Sequence, residues 1–126
     1  MAPYRSMFEK HLAENLAHRK IPFEYETISL PYTIPAESKR YTPDFVVTTN
    51  GGRTILVEAK GLFSAEDRKK ALWVRDCNPD ADVRFVFQNP ALKINPNAKQ
   101  SCAQWAERNG FKWADKFIPE EWLQER

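Results

Sequence analysis

Asp44, Glu58 and Lys60 are separated along the chain but could meet at one end of a short β-hairpin. Two carboxylates brought together in this way could ligate one divalent cation. Phosphodiester hydrolysis uses such a cation to polarise a phosphoryl oxygen and to lower the pKa of an attacking water, and a nearby lysine can orient that water or stabilise negative charge. The three residues therefore predict a metal-dependent nuclease site.

The turn of the hairpin decides whether these side chains meet. The segment 50–52, Asn-Gly-Gly, separates two apolar runs, and three-residue loops that contain glycine are common hairpin connections. In that register Asp44 lies opposite Glu58 with their Cβ atoms about 4.5–5.5 Å apart. Lys60 points to the same face because side chains alternate along a strand. A two-residue loop would instead pair Asp44 with Val57 and scatter the cluster over both faces.

An alternative interpretation of the same residues is a surface ion pair in which Lys60 only neutralises Glu58. Both faces of the hairpin are otherwise apolar, which is typical of strands in the middle of a sheet. Burying two neighbouring carboxylates there costs free energy unless a cation binds them. The pattern therefore favours the metal site over the ion pair.

Glu9 has two interpretations. Ser6-x-x-Glu9 has the spacing of a helix capping box. Glu9 also lies beside Phe8 at the edge of an apolar helix stripe, which would aim a third acidic ligand at the sheet. His11 and His18 lie on another part of that helix and are interpreted as surface residues.

A basic cluster formed by Arg68, Lys69 and Lys70 follows the Lys60 strand after a few residues. Cations near a helix N-terminus oppose the helix dipole, and an anion docked there would relieve the penalty. A solvated helix face is the simpler interpretation, but a track of DNA phosphates leading into the metal site is preferred. Lys39, Arg40 and Lys93 extend this track in the prediction.

Helices and strands are predicted along the whole chain, and their mixture indicates an α/β fold. Helices are expected in the regions 5–20, 65–77 and from 101 to the glycine at 110, with a final helical turn over 119–123. Ser64 and Asp67 have the spacing of a capping box at the start of the second helix. Strands are expected at 23–30, 45–48, 54–57, 82–87 and 111–114, with an extended proline-containing connector over 31–39 and a loop over 88–100.

Composition sets limits on the class of protein. The 126 residues, 42% of them hydrophobic, suffice for a single domain over 1–126 with its own core. The formal charge of +2 is too small to indicate a nucleic-acid partner by itself. Two isolated cysteines predict neither a zinc site nor a disulfide framework. Without a signal peptide or a long apolar stretch, the expectation is a soluble intracellular protein with no membrane partner and no small-molecule cofactor.

Several motifs together resemble the T-seven-like phage endonuclease I family, the junction-resolving enzymes. The resemblance runs from Arg5-Ser6 to Trp122. The Pro-Asp and Glu-x-Lys elements alone would indicate only the broad restriction-endonuclease-like superfamily. The narrower family is indicated by the order of the motifs, which are Tyr41-Thr42-Pro43-Asp44-Phe45, Val57-Glu58-Ala59-Lys60-Gly61-Leu62, Asp67-Arg68-Lys69-Lys70, Ala114-Asp115-Lys116 and Ile118-Pro119-Glu120-Glu121-Trp122.

The resemblance implies metal-dependent cleavage of branched DNA, four-way Holliday junctions above all, by two symmetrically placed active sites. It implies that Asp44, Glu58 and the Ala59 carbonyl hold one or two Mg²⁺ or Mn²⁺ ions, that Glu9 is the helical acidic residue of the site, and that Lys60 is its catalytic lysine. The implied fold is a restriction-endonuclease-like mixed sheet flanked by helices, and the implied setting is the cytoplasm of a phage-infected bacterium.

The resemblance also implies an intertwined homodimer, in which the segment before the Pro-Asp motif crosses between subunits. The connector over 31–39 suits such a bridge because prolines stiffen an extended chain and oppose its folding back. Two alternatives stay open. One is a nuclease of the same superfamily that nicks mismatches or transposon ends, and the other is a junction-binding protein without activity.

Overall fold

A five-stranded mixed sheet forms the centre of the fold in the computed structural model, which describes residues 4–34 and 37–126. A second, two-stranded sheet lies beside it. In chain order the elements are α1 (Met7–His18), β1 (Phe23–Tyr25), β2 (Leu30–Ile34), β3 (Glu37–Tyr41), β4 (Phe45–Thr48), β5 (Thr54–Lys60), α2 (Ala65–Cys77), β6 (Val83–Phe87), α3 (Cys102–Arg108), β7 (Lys112–Asp115) and α4 (Glu120–Leu123).

The central sheet combines antiparallel and parallel pairs in the order β1-β4-β5-β6-β7. β4 pairs antiparallel with both β1 and β5, whereas β5, β6 and β7 run parallel. Parallel neighbours need crossover connections, which α2 and α3 supply. As a result the start of β4 lies beside the ends of β5, β6 and β7. We call this row of strand ends the site edge.

The β4–β5 hairpin has the register that the sequence predicts. Phe45 pairs with Val57, and beyond the last strand pair the Thr49 N–H donates to the Arg53 carbonyl at 2.8 Å. Gly52 has a φ of +86°, a left-handed conformation that favours glycine in three-residue hairpin loops. The three-residue loop and the central position of both strands are confirmed.

Helices cover both faces of the sheet. On one face α1 and α4 pack on residues such as Phe45 and Val57, while on the other α2 and α3 enclose an aromatic cluster. The first core contains Leu12, Leu16, Phe45, Val47, Ile55, Val57, Val86, Ile118 and Leu123. The second contains Phe63, Phe85, Phe87, Trp105 and Phe111. Among the described residues, no helix is long and apolar enough to cross a membrane.

The predicted strand over 23–30 is wrong in its extent. β1 stops at Tyr25 because Glu26 adopts a left-handed conformation with φ +53°, and its N–H donates to the Asp44 carbonyl at 3.1 Å. This bend turns the chain out of the central sheet, so that Leu30 already belongs to β2 of the small sheet.

The predicted single extended connector over 31–39 is also corrected. Its backbone is extended, but β2 and β3 pair antiparallel, with Pro31 opposite Arg40 and Tyr32 opposite Lys39. Pro31 does not prevent this pairing because β2 has only one partner strand, and proline is tolerated at such edges. The residues at 35 and 36 lie outside the described part of the chain. The inter-subunit bridge over 31–39 stays a prediction.

The loop between β4 and β5 meets the C-terminal end of the chain. The Gly51 N–H donates to the Glu125 carbonyl at 3.2 Å. A Cβ at position 51 would lie 2.4 Å from the Arg126 Cα and 2.6 Å from the Glu125 carbonyl oxygen, closer than packed atoms tolerate.

We expect Gly51→Ala to lower the free energy of unfolding by about 1–3 kcal/mol, because the added methyl must displace backbone. Urea unfolding would measure it. Asn50→Ala is the matched control, because the Asn50 N–H still donates to the Leu123 carbonyl whatever its side chain. Equal stability of the two variants would contradict the close packing at Gly51.

Candidate active site

Asp44 and Glu58 lie side by side at the site edge, as the hairpin register predicts. The Asp44 N–H donates to Glu58 Oε1 at 3.0 Å, and the Ala59 N–H donates to Asp44 Oδ2 at 2.9 Å. Both side chains are buried. The backbone thus fixes each carboxylate against the neighbouring strand, and it does so without neutralising either charge.

Lys60 extends from the end of β5 into the same cluster. Its Nζ lies 3.5 Å from Glu58 Oε2 and 3.5 Å from Asp67 Oδ1. Asp67 also accepts the Ser64 N–H at 3.2 Å, while Ser64 Oγ accepts the Asp67 N–H, so the predicted capping box at the start of α2 is confirmed. The same carboxylate that caps α2 therefore holds the lysine. The sequence interpretation assigned Asp67 only its capping role.

Burial sets the charge state of the acidic pair. Burial first, and then the negative charge of Glu58, raise the pKa of Asp44 to about 7. Burial also raises the pKa of Glu58, although Lys60 opposes this. For Lys60, burial disfavours the ammonium, but the neighbouring carboxylates of Glu58, Asp67 and Asp44 outweigh it and raise the pKa. Two carboxylates at this spacing resist ionising together unless a cation joins them.

Glu9 reaches the site from α1. Ser6 Oγ accepts the Glu9 N–H at 3.1 Å, which confirms Ser6 as the N-cap. The Glu9 side chain accepts the Arg5 N–H at 3.1 Å and the Tyr25 hydroxyl. Its charge contributes to the raised pKa of Asp44. The Glu9 carboxylate accepts the Arg5 N–H in place of the Ser6 N–H, so Ser6 is the N-cap but the predicted capping box is only half formed. The role of Glu9 as a metal ligand stays a prediction. Tyr25, which orients the Glu9 carboxylate, was missed because no local pattern links β1 to α1.

A cavity of about 270 Å³ joins these residues. Carboxylates, ammonium groups and one phenol share its wall. It is lined by Arg5, Glu9, Tyr41, Thr42, Asp44, Glu58, Ala59, Lys60, Asp67, Lys70, Ala71, Val74, Val83 and Phe85.

The donor set fits a hard divalent cation. Oxygen ligands from carboxylates suit Mg²⁺ or Mn²⁺ better than softer metals. Within the described residues no three carboxylate, imidazole or thiolate side chains cluster tightly enough to hold one ion between them. Asp44 and Glu58 would therefore need further oxygen ligands, for which water, a backbone carbonyl or a phosphate are suitable. The Ala59 carbonyl and Glu9 stay predictions as ligands.

The basic residues of the predicted phosphate track occupy different environments. Arg68 Nη1 donates to the Phe63 carbonyl at 2.6 Å and to the Ile94 carbonyl at 3.1 Å. It thereby ties α2 to the loop after β6. Lys69 is exposed, whereas Lys70 is half-buried and lines the cavity.

The outlying members of the track do not line this cavity. Arg40 donates to Ser29 Oγ at 2.7 Å and to the Ser29 carbonyl at 2.9 Å. Lys93 donates to the Lys99 carbonyl at 2.8 Å. Lys39 is exposed. Of the six predicted DNA contacts, Lys70 alone lines the cavity in the described part of the chain.

Fold and site together define a mixed α/β protein with a buried acidic pair and a lysine at one sheet edge, the group set that phosphodiester hydrolysis requires. The family model for phage endonuclease I matches residues 1–126. The chain belongs to the phage endonuclease I family and is a nuclease, which confirms the family that the motifs indicate.

Two relatives are similar over most of their length. Endonuclease I of Escherichia phage T7 is 42% identical over 122 residues, which cover 97% of this chain and 79% of the relative. Endodeoxyribonuclease 1 of Enterobacteria phage T3 is 39% identical over 116 residues, covering 92% and 74% respectively.

Proposed function

We propose that the protein is a Mg²⁺-dependent endodeoxyribonuclease that resolves Holliday junctions and other branched DNA by paired cuts. The observation that carries the proposal is the convergence of Asp44, Glu58 and Lys60 in one cavity at the site edge. Membership of the phage endonuclease I family supplies the class of substrate, and preference for branches is carried over from the motif resemblance.

In this mechanism Asp44 and Glu58 would hold one or two Mg²⁺ or Mn²⁺ ions, with the Ala59 carbonyl as a further ligand. Glu9 would be a ligand of a second ion, because among the described residues no three carboxylates cluster around one position. When bound, the metal polarises the phosphate and lowers the pKa of the attacking water. Asp44 has to lose its proton before it can bind a cation, since its pKa is raised to about 7.

Lys60 acts as a cation in the proposed reaction and not as a base. The carboxylates around it raise the pKa of its ammonium, so the side chain keeps its proton at neutral pH. An ammonium held between Glu58 and Asp67 can position the nucleophilic water or stabilise the charge that develops on the phosphate.

A homodimer with two such sites would supply the paired cuts. The β2–β3 segment lies between the part of the chain that carries Glu9 and the part that carries Asp44 and Glu58. If this segment bridges two subunits in a restriction-endonuclease-like dimer, each site combines residues from both chains. DNA would be recognised by branch shape and backbone, with Lys70 next to the cavity and Arg68, Lys69, Lys39, Arg40 and Lys93 as outer contacts.

Cleavage of a labelled four-way junction beside the matching linear duplex tests the proposal. We expect paired cuts near the branch with Mg²⁺, and their loss in EDTA and in the folded Glu58→Ala variant. Equal cutting of the linear duplex would support nuclease activity but contradict the junction preference, and it would favour a mismatch-nicking or transposon-end enzyme. Binding without cutting in any metal would indicate a non-catalytic junction-binding protein.

A further inference from the structure

The hydroxyl of Tyr41 is buried without a partner. Among the described residues it is the one buried side-chain nitrogen or oxygen that makes no hydrogen bond, and the residue is only 6% exposed. Leaving such a group unpaired costs free energy, and native proteins seldom keep one without a ligand to meet it. The hydroxyl is therefore available to donate a hydrogen bond to a bound ligand.

The unpaired hydroxyl belongs to the active-site cavity, which Tyr41 lines together with Asp44, Glu58 and Lys60. Among the described residues the hydroxyl makes no hydrogen bond that meets the usual distance and angle limits, although the Glu58 carboxylate lines the same cavity. A phenol ordinarily has a pKa of about 10, so the group is a neutral O–H donor at neutral pH.

Lys70 holds the ring of Tyr41 in place and adds positive charge beside it. Its Nζ lies 5.6 Å from the centre of the Tyr41 ring and 5.8 Å from that of Tyr32, within the range of cation–π attraction. Lys60 and Lys70 line the same cavity as the phenol. One hydroxyl and two ammonium groups thus share the cavity with the carboxylates that would hold the metal.

We propose that the Tyr41 hydroxyl donates a hydrogen bond to a non-bridging oxygen of the phosphate to be cleaved, with Lys70 beside it as a second phosphate contact. A neutral phenol can donate its proton to a phosphodiester oxygen, which can only accept a hydrogen bond. The same phenol is a weak ligand for a divalent cation unless it loses that proton. The inference rests on the proposed function, because it takes the phosphodiester of DNA as the substrate.

Tyr41→Phe tests the inference by removing one oxygen atom. We expect single-turnover cleavage to fall by about 10- to 100-fold, as for the loss of one preorganised donor. The thermal unfolding midpoint of the metal-free protein should stay the same or rise, because the variant has no unpaired hydroxyl to bury. Tyr32→Phe is the matched control, since Tyr32 packs under the same lysine but does not line the cavity, and it should cleave like the wild type.

Two measurements separate this inference from the proposed function. Fluorescence anisotropy with labelled junction and duplex in Ca²⁺ gives DNA affinity, and single-turnover assays on both DNAs in Mg²⁺ give rates. If the wild type cuts junction and duplex equally, the proposed junction preference is wrong. The lower cleavage rate of Tyr41→Phe can still be measured on either DNA. If the wild type binds without cutting, weaker binding by Tyr41→Phe supports the phosphate contact. Unchanged affinity and rate, or a lower unfolding midpoint, would overturn it.

Discussion

Replacing Asp44 with asparagine should abolish cleavage and, at the same time, stabilise the metal-free protein above pH 7. Asparagine keeps the shape and an oxygen that can accept the Ala59 N–H, but it lacks the negative charge that a divalent cation needs. We expect the cleavage rate to fall on the order of a thousandfold or more. Single-turnover cleavage of a labelled junction in Mg²⁺ would measure it.

The gain in stability follows from the sign of the pKa shift. Asp44 has its pKa raised from 3.8 to about 7 in the folded protein. Between these values the folded state keeps a proton that the unfolded state has released, so the free energy of unfolding falls as pH rises through this window. Each unit corresponds to about 1.4 kcal/mol, which makes a loss of a few kcal/mol the upper limit for this group.

In Asp44→Asn the free energy of unfolding should change much less with pH, because the asparagine side chain cannot ionise. Urea unfolding at about pH 5 and pH 8 in EDTA compares the variant with wild type in the region where Asp44 changes its charge. Asp115→Asn is the control, since Asp115 lies at the same edge but is exposed and pairs with Lys116. If wild type and Asp44→Asn lose stability equally between the two pH values, the buried charge is not the cause.

The site could be predicted from sequence where local rules decide it. A glycine-containing loop sets the register, and the alternation of side chains then places Asp44, Glu58 and Lys60 on one face. The same reasoning gave α2 its bounds, because Ser64 and Asp67 form a capping box that sequence spacing reveals.

The remainder depends on contacts between distant parts of the chain. Tyr25 meets Glu9 across 16 positions, and the second role of Asp67 exists only because β5 ends beside α2. The predicted strand over 23–30 breaks at Glu26, which adopts a left-handed conformation. Glutamate rarely adopts this conformation, so the sequence gives no sign of the break. The pairing of β2 with β3 likewise overrides the preference of prolines for a stiff, unpaired segment.

The contacts of Arg84 also could not be predicted from local sequence patterns. Its replacement is expected to have a large effect on stability. Arg84 lies in β6 and its side chain is fully buried. One partner, Asp82, is two residues away, but the other, Glu125, is 41 positions further along the chain. The guanidinium donates to both Asp82 oxygens at 2.8 and 2.7 Å and to both Glu125 oxygens at 2.6 and 2.8 Å. It also lies 5.2 Å from the centre of the Trp122 ring.

Arg84→Ala should therefore destabilise the protein by about 3–5 kcal/mol, since it leaves two partly buried carboxylates without their shared cation and opens a cavity. Arg84→Lys should recover only part of this loss, because an ammonium cannot make the paired, planar contacts of a guanidinium. Urea unfolding at neutral pH would measure both variants.

Arg53 provides the control that separates burial from charge. It pairs with Asp82 at 3.0 Å and approaches Glu125 at 4.0 Å, yet its side chain is 48% exposed. Exposed ion pairs contribute about 0–1 kcal/mol, so Arg53→Ala should have a small effect although it removes the same charge from the same two carboxylates. Because the network lies at the opposite edge of the sheet from Asp44, folded variants should keep their cleavage rate. Equal destabilisation by Arg53→Ala and Arg84→Ala would show that net charge, and not the buried paired contacts, holds the C-terminal segment against the sheet.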